Sequence, residues 1–568
     1  MADKYSVTST FKKLLDIIRT ERAELSQIYF FAVLGGIIQL SLPIGVQSVI
    51  NFVLGGAIST SLIILIAMVL LGVFLGGWVQ ISQMRIIEKV QQKLFTRYSF
   101  ALASIMPATD EEYTDAIHLP EQANRFFETL FIQKSIRKIL LDLPAASIQI
   151  LLGIILLSFY HPAFLLFGAM LLAMLFFTLN FTLSAGLKAS VDESTHKYDV
   201  AGWLQELGRA QFVFRMNPDS KLYYQKTDKA VVGYLKGRTQ HFKILMLQFK
   251  TLVAFKIIIT AALLIVGSVL LVQNKLNIGQ FIAAEIIILF VIGSVEKIIS
   301  GMDVVFDVLT SVQKITEVIH LPKEKNGSMQ MQAPDQGIEI QFNDVSYTYP
   351  NGSTCINQLN VSIPARARVL VSGAPMAGKS TLLKLLTGAY PSYSGSISLA
   401  GIPMRNLDLG SLRKHVGLLH QEAGIFRGTL LENLSLGNPN INITQITEHL
   451  KAAGLDSLVY ALPKGLEEML SPENKKISQR NLQKLLVVRL ILSGSPILLL
   501  DEPLTLLDPK DRQQMVEYIM RYSTNATLLI TGDEPELVSH CDYVLVLDEN
   551  GSGKLMGKDE FSIQKNIK

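Results

Sequence analysis

The chain has 568 residues, of which 49% are hydrophobic and 18% charged, with a formal net charge of +4 and a mean hydropathy of +0.34. That balance is too apolar for an ordinary soluble protein of this length and too nearly neutral for a nucleic-acid binder, so it points to a membrane protein with a soluble part. The two cysteines, Cys355 and Cys541, both fall in the polar C-terminal region, which argues against a disulfide framework and suits a reducing compartment.

The first 28 residues mix both charge signs and lack the short apolar core and cleavage site of a secretory signal. They read as an amphipathic elbow helix along the inner membrane face. Six apolar runs follow, at 29–54, 61–81, 139–160, 163–183, 252–272 and 278–300. Each is near the ~20 residues that a helix needs to cross a bilayer core, and together they predict an all-α membrane domain over 29–321. Short connections (GGAIST, YHPA, QNKLN) alternate with long, charged, helix-patterned ones at 83–137 and 185–250, and Lys275 is the only Lys or Arg in a short one. By the positive-inside rule the long loops and both termini are cytoplasmic. The long loops predict membrane helices that continue below the bilayer and carry motion to something beneath.

Two charges lie inside the spans. Glu285, in FIAAEIIILF, sits ~10 Å into the sixth at 1.5 Å per residue; it either faces a substrate pathway or rests, neutral or hydrogen-bonded, in a helix interface. Lys256, nearer the inner end of the fifth, is expected to snorkel to the cytoplasmic surface. A linker is expected at 322–337, where turn formers replace apolar periodicity, and a new domain over 338–568 begins with the strand-like IEIQFNDVSYTY.

Within that domain the strand-like ARVLVS leads into GAPMAGKST and then the helical LLKLLTG. This is the G-x-x-x-x-G-K-[ST] phosphate loop in its strand, loop, helix setting, made of Gly373, Ala374, Pro375, Met376, Ala377, Gly378, Lys379, Ser380 and Thr381. Glycines let backbone amides turn toward anionic oxygens, and the helix N-terminus adds a favourable dipole. Lys379 is placed to contact terminal phosphates and Ser380 to help hold Mg²⁺. By contrast, GSGK at 551–554 lacks that setting and reads as a surface turn.

Six spans with two long inner loops followed by one such domain resemble the half-transporters of the ATP-binding-cassette (ABC) exporters, over nearly the whole chain. The resemblance implies a multidomain membrane protein, a six-helix transmembrane domain plus an α/β P-loop ATPase domain, in a bacterial inner membrane. It also implies ATP and Mg²⁺ as cofactors and a dimer, either of two copies or with a related half-transporter, in which each nucleotide lies between one subunit's phosphate loop and the other's signature helix. Tyr349, in SYTYP, matches the aromatic that stacks on adenine, and Gln421, in LLHQEAGIF, the glutamine that senses Mg²⁺ and contacts the membrane domain. ILLLDEP matches the strand ending in the metal-linked acid, Asp501, and the water-polarising acid, Glu502; Asp508, in LTLLD, matches the loop that communicates across the dimer. More narrowly, STHKYDVAGWLQELGRAQF and NIGQFIAAEIII resemble the second coupling segment and sixth span of peptide and protein exporters, including the toxin-secretion type. That branch leaves room for a periplasmic adaptor and outer-membrane channel as partners. Its N-terminal peptidase-like domain has no counterpart before the first span, so leader cleavage is not expected.

The chain departs from the family's pattern at three places. ISQRN replaces the signature LSGGQ: Ser478 is kept, Gln479 and Arg480 stand where glycines should let the backbone approach the partner's nucleotide, and Asn481 follows. Arg480 either pairs with a phosphate or obstructs, and the segment is alternatively a plain helix start. Asp533, with Gly532 as the only close alternative, falls at the switch histidine's position, and His540 is a poor substitute. Removing one donor to a developing phosphate charge commonly costs ~3 kcal/mol. Met376 occupies a loop position where the family often has a further glycine. Two readings follow: ATP-driven export with slow hydrolysis, or an ATP-binding, essentially non-hydrolysing regulatory or scaffolding subunit of an export complex.

Overall fold

The computed structural model describes residues 7–19, 21–54, 60–115, 117, 119–332, 337–420, 424–472 and 476–567. The chain divides into two compact units, Met1–Ala108 with His118–Leu321, and Thr109–Ile117 with Pro322–Lys568.

In the first unit a short helix, Val7–Arg19, precedes six long ones: α1 (Arg22–Leu54), α2 (Thr60–Ile105), α3 (Leu143–Tyr160), α4 (Ala163–Arg209), α5 (Leu222–Val272) and α6 (Ile278–Ile319). Among the described residues, six helical stretches are long and apolar enough to cross a membrane by length and composition. The 47 residues of α4 span ~70 Å at 1.5 Å per residue, more than twice a ~30 Å hydrocarbon core, so the helix runs well past the apolar run that predicted it. The start of the third run differs from expectation. Residues Lys138–Asp142 form a π-helical turn and α3 begins at Leu143 with a proline in its first turn, because Pro144 has no N–H to continue the α-helical ladder.

Interhelical hydrogen bonds tie the bundle together. Gln149 of α3 donates to Gln39 of α1 at 2.5 Å and accepts from Ser294 of α6 at 2.8 Å, and Gln248 of α5 donates to Thr182 of α4 at 2.7 Å. In an apolar medium such pairs hold helices by satisfying groups that have no water to turn to. Lys256 pairs with Glu296 of α6. A counter-charge on a neighbouring helix neutralises it where it sits, which a reading of α5 alone does not reveal.

In the second unit, Ile340–Thr348, Thr354–Ile363, Ser394–Leu399 and Ile402–Pro403 form an antiparallel sheet. A six-stranded sheet carries β1 (Arg368–Gly373), β2 (Val416–Leu419), β3 (Ile497–Leu500), β4 (Thr527–Thr531), β5 (Tyr543–Leu547) and β6 (Gly553–Gly557) in the order β6-β5-β1-β4-β3-β2. All pairs are parallel except β5 with β6. Every residue of β3 and of β4 is buried, as a parallel sheet covered on both faces requires. The GSGK stretch is a turn only in its first half, since Gly553 and Lys554 open β6. Part of the expected linker is packed: Gly327 and Met329 donate to the backbone oxygens of Leu407 and Asn406 at 3.1 and 2.9 Å, and Met331 is buried.

Candidate nucleotide-binding site

The carboxyl ends of β1, β3 and β4 deliver the site to one edge of the sheet, where a crevice opens in folds of this kind. After β1 the loop 374–377 turns into α7 (Lys379–Leu386), with Gly378 at the helix N-terminus in the left-handed region, φ +92°. A Cβ on Gly378 would lie 2.5 Å from the Cys355 carbonyl oxygen, so both the turn and the close approach require glycine there. Met376 is also left-handed, φ +71°, and 98% exposed. A side chain at this position costs on the order of 1–3 kcal/mol of backbone strain. Pro375 is exposed, and Ala377 is buried beneath the loop.

Lys379 Nζ donates to the carbonyl oxygens of Gly373 and Ala374 at 2.7 and 3.2 Å, folding back over its own loop. Ser380 Oγ donates to Asp501 Oδ1 at 3.0 Å, and Thr531 Oγ1 donates to the same oxygen at 2.9 Å. Thr531 Oγ1 in turn accepts from the Glu502 N–H at 2.7 Å. One buried hydroxyl on β4 therefore fixes both acids at the end of β3. Glu502 itself is left-handed, φ +46°, a strained backbone of the sort that persists at sites where geometry is over-determined. Asp501 is buried, and a cavity of about 290 Å³ beside it is lined by Leu419, His420, Gln479, Gln483 and Glu502.

Tyr349 lies half-buried beside the loop, its hydroxyl 2.9 Å from Thr381 Oγ1 and its ring edge-on to Tyr347 and Tyr390. Gln421 falls outside the described residues. Ser478 caps α8 (Gln479–Leu492): its Oγ accepts from the Asn481 N–H at 3.3 Å, so the ISQRN segment does start a helix. Arg480 is held within its own chain, by Asp508 at 2.7 Å and Asp511 at 3.2 Å. Asp508 caps α9 (Pro509–Tyr522) by accepting from the Asp511 N–H at 2.9 Å. That backbone donor, then the Arg480 guanidinium, holds the Asp508 carboxyl below the usual range. Asp533 is exposed in the turn after β4, and His540 points back along its own helix, its Nδ1 2.8 Å from the Glu536 carbonyl oxygen. Glu285 lies half-buried on α6, in the other unit.

Four contributors escaped the sequence reading. Thr531 closes β4 in ATLLITGD, a position that motif spacing passes over. Gln483, two residues beyond ISQRN, donates to the Glu502 backbone oxygen at 2.9 Å and accepts from the Leu506 N–H at 3.0 Å, bracing the turn that carries Glu502. His420, at the end of β2, brings Nδ1 to 3.7 Å from Asp501 Oδ2. Finally, the acidic run at 110–115 contains the short helix Glu111–Thr114, which lies in the second unit. Glu111 pairs with Lys384 of α7 at 3.1 Å, Glu112 accepts from Ser392 Oγ at 2.7 Å, and Asp115 accepts from the Tyr390 hydroxyl at 2.9 Å. A segment from between two membrane helices is thus bonded directly to the helix that begins at the phosphate loop.

Residues 356–505 match the family model described as ABC transporter. A Bacillus subtilis protein described as an uncharacterized ABC transporter ATP-binding protein, YwjA, is 27% identical over 50% of each chain. The mesentericin-Y105 transport/processing ATP-binding protein MesD of Leuconostoc mesenteroides is 26% identical over 62% of this chain and 48% of its own. An ATP-dependent lipid A-core flippase of Saccharophagus degradans is 28% identical over 42% and 41%. The chain thus spans about half the length of the curated relatives it matches. Among solved structures, a bacterial Atm1-family ABC exporter with ATP bound superposes with a TM-score of 0.79 over 96% of both chains at 16% identity. Residues 356–505 are therefore an ABC transporter domain, which implies ATP binding, carried on a multi-pass membrane chain with the fold of an ABC exporter.

Proposed function

We propose that the chain is one half of an ATP-driven exporter, working as a dimer in a bacterial inner membrane with the nucleotide domain and both termini cytoplasmic. The observation that carries this reading is the joint presence of Lys379, Ser380, Asp501 and Glu502 in one constellation, with Glu111, from the stretch of sequence between α2 and α3, paired to Lys384 of α7. In the proposed mechanism Lys379 leaves the Gly373 and Ala374 carbonyls for the terminal phosphate oxygens, and the loop amides with the α7 N-terminus hold the rest of the triphosphate. Hard oxygen donors already 3.0 Å apart, Ser380 Oγ and Asp501 Oδ1, fit Mg²⁺, which would neutralise charge on the transferring phosphoryl group. Glu502 orients the attacking water. Thr531 holds Glu502 and Asp501 in register through this step, and Gln483 keeps the turn from drifting.

Turnover in this proposal is slow. Arg480 is already committed to Asp508 and Asp511, Gln479 lacks a glycine's open approach, and Asp533 supplies no imidazole. The relatives' names include a lipid A-core flippase and a mesentericin-Y105 transport/processing protein, and the cargo is assigned as an amphiphile or peptide, with Glu285 as a candidate pathway residue. The regulatory alternative is not favoured, because a water-polarising Glu502 and six membrane-spanning helices would be superfluous in a nucleotide sensor.

Inverted vesicles carrying the chain, alone and with related half-transporters, test this against a panel of labelled amphiphiles and peptides. ATP should drive accumulation of one class, Lys379→Ala should abolish it, and Glu285→Gln should alter substrate stimulation while leaving ATP affinity unchanged. Tight ATP binding with no ATP-dependent movement of any cargo would favour the regulatory reading instead.

A further inference from the structure

Below the apolar runs, the cytoplasmic extensions of α4, α5 and α6 enclose a polar cluster that nothing above uses. His241 of α5 is fully buried, and its Nδ1 lies 2.7 Å from Glu193 Oε2 of α4. That contact puts a proton on Nδ1, since a carboxylate only accepts, so that in the neutral ring Nε2 carries the lone pair on the opposite side. Nε2 points toward Asp303 Oδ1 of α6 at 3.9 Å, and both atoms are buried without a hydrogen-bond partner. Asp307, one turn further along α6, completes the group: a ligand atom from each of His241, Asp303 and Asp307 lies within 4.8 Å of the others. Ser190 of α4 steadies Asp307 with a hydrogen bond at 3.2 Å, and the Phe306 ring packs edge-on against the imidazole.

Three features of this cluster call for a cation. First, two buried acceptors facing each other cost free energy unless something between them satisfies both. The 3.9 Å gap is too long for a direct hydrogen bond but within the span of two metal–ligand bonds of ~2.1 Å each. Second, Glu193, Asp303 and Asp307 bring three negative charges against one guanidinium, that of Arg238, which reaches Glu193 at 3.3 Å; a divalent ion would balance the remainder. Third, a histidine that gives one ring N–H to a carboxylate and presents the other nitrogen to carboxylate oxygens has the outer-shell arrangement of metal-bound histidines.

We infer that His241 Nε2, Asp303 and Asp307 form a binding site for a divalent transition cation of the Zn²⁺ or Co²⁺ class. One imidazole and two carboxylates suit such an ion better than Mg²⁺, which prefers oxygen ligands alone. Small rotations of the Asp303 and Asp307 side chains bring their oxygens into the first coordination sphere, with a fourth position left for water. The ion clamps α5 to α6 directly, and α4 to both through Glu193 and Ser190. It therefore stiffens the helices that extend from the membrane spans, independently of the nucleotide site.

The full-length protein, purified without a polyhistidine tag, stripped with chelator and exposed to Zn²⁺ alone, is the test. Bound metal is counted by mass spectrometry, the unfolding temperature is followed with and without Zn²⁺, and Co²⁺ loading is read from its visible absorption. Asp303→Asn and Asp307→Asn preserve side-chain volume and are expected to fold; His241→Ala removes the nitrogen ligand. The wild type should retain one equivalent that each variant loses, and Zn²⁺ should raise the unfolding temperature of the wild type alone. Equal stoichiometry in the wild type and the Asp303→Asn/Asp307→Asn double variant, or a folded wild type that retains no Zn²⁺, would overturn the assignment.

Discussion

Replacing Thr531 by valine removes one hydroxyl and almost no volume, yet it strips two partners at once. The side chain is fully buried and bonds Asp501 Oδ1 at 2.9 Å and the Glu502 N–H at 2.7 Å. A hydrogen bond to a charged group is worth about 1.5–3 kcal/mol, and a buried N–H left unmade costs about 1–3 kcal/mol. When Ser380 turns to the metal, Thr531 is the hydroxyl that still holds Asp501, so the first term bears directly on Mg-ATP binding. At 1.4 kcal/mol per decade, Mg-ATP affinity should fall about tenfold to a hundredfold, and the unfolding temperature should fall as well. Fluorescent-nucleotide titration of the full chain, with and without Mg²⁺, measures the first effect. Thr531→Ser keeps the hydroxyl and serves as the control, with affinity within about threefold of wild type, equivalent to about 0.7 kcal/mol. A valine variant with wild-type Mg-ATP affinity and unfolding temperature would refute the role given to this residue.

Met376→Gly should relieve left-handed strain at an exposed loop position and raise stability by about 1 kcal/mol, read by thermal denaturation; a loss of stability would show that the loop does not need that conformation. Restoring both glycines, Gln479→Gly with Arg480→Gly, should cost little stability, because the Arg480 pair is half-exposed and such pairs are worth up to about 1 kcal/mol. It should raise ATP turnover several-fold, whereas an unchanged rate would mean that the start of α8 does not oppose a nucleotide. His420→Ala should lower turnover about tenfold if the imidazole beside Asp501 takes up part of the absent switch histidine's work, and full activity in that variant would exclude it.

Much of this architecture was legible because its causes are local. Hydropathy over ~20 residues locates a membrane helix, and the phosphate loop announces itself through glycine spacing between a strand and a helix. The capping role of Ser478 likewise follows from a hydroxyl placed directly before an apolar helical run. What escaped depends on partners distant in sequence. Arg480 meets Asp508 and Asp511 only because the chain returns through β3 between them. Lys256 finds Glu296 on the next helix, and Thr531 reaches from β4 to the acids at the end of the neighbouring β3. The acidic turn at 111–114 looked like part of a long inner loop, since nothing in its own residues names Lys384, Ser392 and Tyr390 as partners. The packing of the expected linker escaped for the same reason: Gly327 and Met329 bond to backbone at 407 and 406, which composition cannot register.

The central claim, that this degenerate cassette still hydrolyses ATP to drive a membrane dimer, rests most directly on one comparison. Steady-state ATP turnover of the full-length protein in lipid nanodiscs should be slow but clearly above that of Glu502→Gln, with both proteins binding ATP tightly and Lys379→Ala losing that binding. Turnover no greater than that of Glu502→Gln at equal ATP occupancy would contradict the account.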